Sequence, residues 1–359
     1  MKILVYGAGV LGSFYAARLH KAGQEVTLLA RGQRLAELRE HGVLLEDGVT
    51  GEQTSAQVSL VEQLAPEDAY DLVLVIMRKN QVPGVLPALA ANGHTPNVVF
   101  MGNNAAGPWA WVEALGRERV VLGFGGAGGV RRGPVIRCVA ASGEKQAAVT
   151  LGEINGRATP RLAHIAAAFE GAGIPVRTSP KMDAWLKTHV ALILPIALSI
   201  YLAGGDNYRL ARTRDGIVLG IRAVREGFRV LHALGIPVTP PSLRRLAWMP
   251  EPLLVRQAQK LLDTELAELG LAGHANAARD EMQCLAGELR AVALTTSVAT
   301  PALELLYTYL DPATYPMPEG SAEMPLDWRA VWVAGGALAG AVAGMAAALR
   351  RAPNVKRQT

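Results

Sequence analysis

Three glycines, Gly7, Gly9 and Gly12, stand in the spacing G-x-G-x-x-G at the start of the chain. That spacing serves phosphate binding when a strand precedes it and a helix follows. The first glycine permits the tight turn, and the second lets the backbone approach a pyrophosphate. The third lets helix and strand pack closely, with the helix N-terminus facing the phosphates. Here Ile3, Leu4, Val5 and Tyr6 supply the strand, and residues 11–22 have helical spacing. The loop Gly7, Ala8, Gly9, Val10, Leu11, Gly12 is therefore the candidate dinucleotide cradle, against the plainer reading of a glycine-rich turn without ligand. The next apolar run, EVTLLA, ends in Arg31, with Arg34 following, and no carboxylate stands there to grip ribose hydroxyls. A guanidinium at that point can pair with a 2′-phosphate through two hydrogen bonds, so the expected cofactor is NADP (NADPH). The alternative for Arg31 is a solvated loop arginine.

A nicotinamide enzyme that reduces a ketone must position the hydride, donate a proton to the forming alkoxide and bind the rest of the substrate. Asn103 and Asn104 follow the fourth strand-like run, at the carboxyl edge of the sheet where ligands bind. They suit contact with the cofactor or the substrate, or simply a turn. Lys187 lies at the edge of a long apolar helix with His189 two residues on. A partly buried lysine can act as a general acid, and a snorkelling lysine on a solvated face is the plainer alternative. Asp280 and Glu281 sit in another helical stretch with Met282, Leu285 and Leu289 on its apolar side, and a carboxylate there could orient the lysine, accept from the cofactor ribose or be one more surface acid.

The elements that must hold these residues alternate in type over the first part of the chain. KILVYG, EVTLLAR, DLVLVIM, NVVFMGN and RVVLGFG read as five buried strands, separated by helical stretches such as 33–41. Continuous apolar strands between helices predict a parallel sheet covered on both faces. Further strands are expected at 134–140 and 146–151, then a helix at 160–171 and a short strand near 174–177. After Thr178 long helical patterns dominate up to Leu310. The expected fold is a Rossmann-type doubly wound α/β sheet followed by an all-α domain. Residues 1–178 would bind NADP, and 179–312 would form the helical substrate and dimerisation domain. Residues 313–359 would be a linker, an apolar Ala/Gly-rich helix and a basic tail.

Composition narrows the partners. Of 359 residues half are hydrophobic and 19% charged, with 36 Lys and Arg against 31 Asp and Glu for a net charge of +5. No basic block of the kind that tracks a nucleic acid is visible, so an acidic small molecule is the expected partner rather than a nucleic acid. Two distant cysteines, Cys138 and Cys284, suggest neither disulfide nor zinc site, and the strand-like start does not read as a secretory signal. The expected location is cytoplasmic. Residues 330–349 carry no charge, and Gly336, Gly340 and Gly344 form a small-residue ridge, so a membrane contact stands beside a buried or oligomer-facing helix.

The stretch GAGVLGSFYAARLHKAGQEVTLLARG resembles the opening of the ketopantoate reductase family, NADPH-dependent 2-dehydropantoate 2-reductases of pantothenate synthesis. The resemblance spans roughly residues 1–312. It implies that Arg31 contacts the 2′-phosphate and that Arg78, in RKNQ, takes the place of a cofactor-contacting lysine, with Lys79 beside it. Asn103, favoured over Asn104, would be the site asparagine, and Ala127 would be the small residue against the cofactor. AWLK would make Lys187 the catalytic proton donor, and counting back from Pro301 makes Glu281 the acidic residue at cofactor and substrate. The family's substrate asparagines, however, fall on Ala191 and Pro195, and its serine near Leu269 or Gly270. His189, His274, Asn276 and Asn207 are offered instead, and Asn207 joins Asn103 and Asn104 as a candidate substrate contact. The expected reaction is NADPH-dependent reduction of a 2-keto acid to a 2-hydroxy acid. The alternatives are a different, bulkier or more apolar keto substrate, suited by Ala191 and Leu269, or a non-catalytic NADP-binding protein tethered through its C-terminal helix. Helical second domains in such enzymes often pair, so the resemblance offers a homodimer as one assembly.

Overall fold

A computed structural model describes residues 1–138 and 148–328 of the chain. The apolar stretch 330–349, with its membrane alternative, lies outside the described residues.

The five apolar runs form β1 (Lys2–Tyr6), β2 (Glu25–Leu29), β6 (Leu72–Val75), β7 (Val98–Met101) and β8 (Val120–Phe124). They are joined by β5 (Ser59–Val61), β11 (Val149–Glu153) and β12 (Val176–Thr178) in one sheet of order β12-β11-β8-β7-β6-β1-β2-β5. Neighbours pair in parallel except β11, which runs antiparallel to β8. Strand order reverses beside β1, so the crevice beyond the carboxyl ends of β1 and β6 is where such a sheet binds ligands. Both faces are buried. Helices α1 (Val10–Lys21) and α5 (Pro160–Gly171) cover one face, while α3 (Leu86–Ala91) and α4 (Trp109–Leu115) lie on the other.

A second sheet has no counterpart in the sequence reading. After α2 (Gly32–His41), strands β3 (Val43–Asp47) and β4 (Gln53–Ala56) pair with β9 (Gly129–Arg132) and β10 (Val135–Cys138) in the order β4-β3-β10-β9. The strand expected at 134–140 therefore belongs to this small sheet. Its members are short and half-exposed, so their apolar alternation is weak, and β10 pairs with a strand far away in sequence.

The helical part is centred on α6 (Met182–Leu202), which crosses α7 (Asn207–Arg212) and α8 (Arg214–Ala233). The crossing with α8 is close because glycines face α6. A Cβ at Gly220 would stand 2.6 Å from Ser199 Oγ, and one at Gly227 would stand 3.0 Å from Ala191 Cβ. Helices α9 (Glu251–Leu262) and α10 (Glu265–Ala267) lead through a π turn into α11 (Gly273–Ala277), followed by α12 (Arg279–Leu294) and α13 (Pro301–Tyr307). Among the described residues α6 alone is long and apolar enough to cross a membrane. Most of it is buried within the protein, as a core helix is.

Residues 311–328 lie strapped along α7 and α8 rather than hanging as a free linker. Asp215 accepts from Ser321 Oγ at 2.7 Å and from the Glu323 and Met324 amides, and Glu251 accepts from the Asp327 amide at 2.8 Å.

Candidate active site

The glycine loop occupies the strand-to-helix turn between β1 and α1. Gly7 has φ +121°, and a Cβ on it would stand 2.3 Å from Ile76 O, at the end of β6. A Cβ on Gly12 would stand 1.8 Å from Gly7 O. These two glycines are demanded by the fold itself. Gly9 differs, since a Cβ there meets nothing within 4 Å. Open space beside Gly9, at the N-terminus of a twelve-residue helix with no acid in its first turn, fits a pyrophosphate. Arg34 braces the loop from beneath, donating to Ala8 O and Ser13 Oγ, both at 3.2 Å. Arg31, at the end of β2, is exposed, donating through Nε to Glu62 O and through Nη2 to the Tyr6 hydroxyl. Its charge has no carboxylate partner in those bonds.

Ala127 follows β8 in a loop whose backbone amides approach the hydroxyl of Tyr15, and burial pushes that phenol upward. Val10 and Ala127 both pack at the edge of the same core, while Ala8 and Leu11 complete the loop between them.

The asparagine pair sits where β7 ends. Asn103 Nδ2 donates to Glu281 Oε1 at 3.2 Å, and the Lys79 amide donates to the same oxygen at 3.2 Å. Glu281 is 3% exposed, and its other oxygen lies 3.9 Å from His274 Nε2. Asn104 Oδ1 accepts from Lys79 Nζ at 3.0 Å and from the Gly107 amide at 3.1 Å. Asn103 Oδ1 and Asn104 Nδ2 are left buried without a protein partner. Such groups are costly in a finished interior, and a leftover acceptor and a leftover donor on neighbouring residues suit a bound amide or hydroxyl.

Lys187 reaches the same place from α6. Its Nζ is gripped by Asp183, one turn earlier, at 2.5 Å to Oδ1. A Cβ on Gly107 would stand 3.2 Å from Nζ, so the glycine lets the loop after β7 touch the ammonium. On another side of α6 an aromatic stack forms, with His189 4.2 Å from Phe124 and 5.3 Å from Trp185 between ring centroids. Burial first, and nearby His274 second, lower the His189 pKa to about 4, so its ring is neutral at pH 7.

Thus Lys187, Glu281, Asn103 and Asn104 converge with the glycine loop on the carboxyl edge of the sheet. Other candidates are placed differently. Arg78 is spent on Asp280 Oδ1 at 2.8 Å and on Ala277 O, and the basic group that turns inward beside Asn104 is Lys79. Burial works upward on the Asp280 carboxyl, but hydrogen bonds from Asn80 and Arg78 outweigh it and hold it low. Asn207 uses its amide on Leu262 O at 2.7 Å and on Thr264 O, which ties α7 to the end of α9 rather than to this cluster. The room expected at Ala191 is absent, because its Cβ is fully buried against Gly227 of α8, and Leu269 is also buried. Sequence reasoning named Lys79 only as the neighbour of Arg78 and gave no role to Asp183 or Glu288. Their signals were faint: Asp183 stands four residues before Lys187, and Glu288 stands seven after Glu281, on one helix face.

Residues 3–156 match the family model described as ketopantoate reductase PanE/ApbA. The 2-dehydropantoate 2-reductase of Mesorhizobium japonicum is 27% identical over 267 residues, covering 66% of this chain and 79% of the relative. The chain is thus similar to ketopantoate reductases, most clearly over its first 156 residues. With these relatives it is an oxidoreductase acting on a CH–OH/keto pair. Its fold is also that of a Geobacter metallireducens 2-dehydropantoate 2-reductase, with a TM-score of 0.72 at 18% identity, covering 88% of this chain and all of that one. A D-mandelate dehydrogenase with NADH and anilino(oxo)acetate superposes with a TM-score of 0.69 at 18% identity, over 86% of this chain and 97% of that one.

Proposed function

We propose that this protein reduces a 2-keto acid to a 2-hydroxy acid with NADPH, with 2-dehydropantoate as the first substrate to test and pantothenate synthesis as its setting. The observation that carries the reading is the pair of buried, unpartnered polar atoms, Asn103 Oδ1 and Asn104 Nδ2, on the asparagines that hold Glu281 and the Gly107 amide beside Lys187. The loop from Gly7 to Gly12 would hold the pyrophosphate, Arg31 the 2′-phosphate, and Asn103 with Ala127 the nicotinamide end. When bound, the dihydronicotinamide supplies the hydride to the ketone carbon. Lys187 holds a proton at Nζ for the oxygen that becomes the alcohol. Asp183 fixes the direction of that ammonium through its contact one helical turn away. Glu281 orients Asn103, and the cationic groups around the cleft favour a substrate that carries a carboxylate. The cytoplasm is the location this reading carries, and a homodimer its assembly.

The identity of the acyl group is a separate matter. At the positions where the family has substrate asparagines, Ala191 and Pro195 are buried in the helical core. The His274 imidazole stands near Glu281 instead, and His189, which His274 approaches, packs against Phe124 and Trp185. That favours, as a second reading of the same site, a keto acid with another side chain. NADPH oxidation with a panel of aliphatic and aromatic 2-keto acids tests both readings. Fastest turnover of 2-dehydropantoate supports the first, and fastest turnover of an aromatic keto acid supports the second. NADPH binding without oxidation of any member removes both.

A further inference from the structure

Beside the loop that touches Lys187, and drawn from residues far from it in sequence, stands the ion pair of Lys79 and Glu288, with no assigned role. Glu288 lies two turns along α12 from Glu281, on the same face. Its Oε2 accepts from the backbone amides of Ala105 at 2.9 Å and Ala106 at 3.0 Å, and its Oε1 stands 3.3 Å from Lys79 Nζ. Lys79 in turn donates to Asn104 Oδ1 and lies 4.6 Å over the Trp111 ring. Both side chains are nearly buried, at 11% and 14% exposed. Asn104 Oδ1 also holds the Gly107 amide, and Gly107 abuts Lys187 Nζ. A continuous series of contacts therefore runs from Glu288 through Lys79, Asn104 and Gly107 to the proposed proton donor. Every backbone amide of residues 105–107 is held by a side chain in it.

A buried charged pair of this kind contributes little net stability, because desolvation offsets the Coulomb attraction. Its value lies in geometry. The loop after β7 contains a glycine with φ +90° and is connected to Lys187 by contact alone, so nothing in the sheet fixes its height above the ammonium. The two partners also come from opposite sides of the cleft, Lys79 from the turn after β6 and Glu288 from α12. We propose that Glu288 and Lys79 are positioning residues, which clamp residues 103–107 so that Asn103 and Lys187 meet the reacting atoms in register. This rests on the reductase reading given above.

The test uses the full-length protein with Glu288→Gln, Lys79→Met and the double variant. Steady-state oxidation of NADPH with the best keto acid is measured together with NADPH affinity, thermal melting and hydrogen exchange of the peptide containing Ala105 and Ala106. Glu288→Gln is expected to lower kcat about 10-fold or more while KM and NADPH affinity move by less than about 3-fold, since misplacement acts on the transition state. The two amides should exchange faster in the same variant. The double variant should melt closer to wild type than Glu288→Gln, which strands a buried ammonium, yet recover none of the lost kcat. Unchanged exchange at Ala105 and Ala106 would overturn the clamp, as would faster exchange with wild-type kcat. Should wild type turn over no keto acid, the reductase reading fails, while the exchange of those amides still decides whether the clamp exists.

Discussion

Gly9→Ala separates what the fold needs from what a cofactor needs. Gly9 has φ −73° and ψ −166°, which any residue adopts, and an added Cβ meets no protein atom within 4 Å. The substitution removes some entropy from the unfolded chain, worth about 0.4–1 kcal/mol in favour of folding. Against this, alanine is a poorer N-cap than glycine by a similar amount. The two effects offset each other, so Tm should stay within roughly 2 °C of wild type. The bound pyrophosphate would feel the methyl directly, because it must approach the same open space to reach the first amides of α1. Losing two charge-assisted hydrogen bonds at about 1.5 kcal/mol each amounts to about 3 kcal/mol, or roughly 10²-fold in Kd. Fluorescence titration with NADPH and a thermal melt read the two quantities. Gly12→Ala is the control: its Cβ would overlap Gly7 O, so both stability and binding should fall. A Gly9→Ala protein that binds NADPH as wild type does would refute the assignment of that space to phosphate.

Arg31→Ala should raise Kd for NADPH by about 10-fold or more and leave NADH nearly unchanged, as expected when one charge-assisted contact to a phosphate is lost; an unaltered ratio of the two affinities would count against the NADP assignment. Lys187→Ala should reduce kcat by about 10²–10⁴-fold with NADPH affinity little altered, the range for removing a general acid, measured in single-turnover reactions. His189→Phe keeps the stack with Phe124 and Trp185 but removes an imidazole whose pKa is lowered from 6.5 to about 4. The unfolded state binds that proton first, so stability is complete above pH 6.5 and is lost as pH falls toward 4, by roughly 3 kcal/mol. The variant should show a flatter acid limb in urea unfolding across that window, and an unchanged limb would contradict the buried neutral ring.

What the sequence disclosed follows physical range. The glycine loop was legible because strand, turn and helix lie within one short stretch and each glycine answers a local constraint. The central strands were legible because burial on both faces makes them continuously apolar, as in LVLV of β6. The small sheet was not, since QTSA of β4 carries no such signal and β3 meets β10 only after the chain has wound through most of the main sheet. At the site, Lys187 and Glu281 acquired meaning only through a family resemblance, because isolated charged residues on helices look like surface. Arg78 and Lys79 stand side by side, and which of them turns inward is decided by Asp280 and Glu288 of α12, some two hundred residues on. The expectation that Ala191 opens the pocket failed for a related reason. Gly227 of α8 lets that helix come close enough to cover it.

The central claim is hydride transfer to the ketone carbon of a 2-keto acid, with the proton supplied from Lys187. Its most direct measurement is deuterium transfer from NADPH labelled on the dihydronicotinamide carbon that delivers hydride, with the hydroxy acid product analysed by mass spectrometry. One deuterium at C2 of the product with wild type, and no product in the same time with Lys187→Ala, is the expected result. A protein that binds the labelled cofactor yet places no deuterium in any hydroxy acid would contradict it.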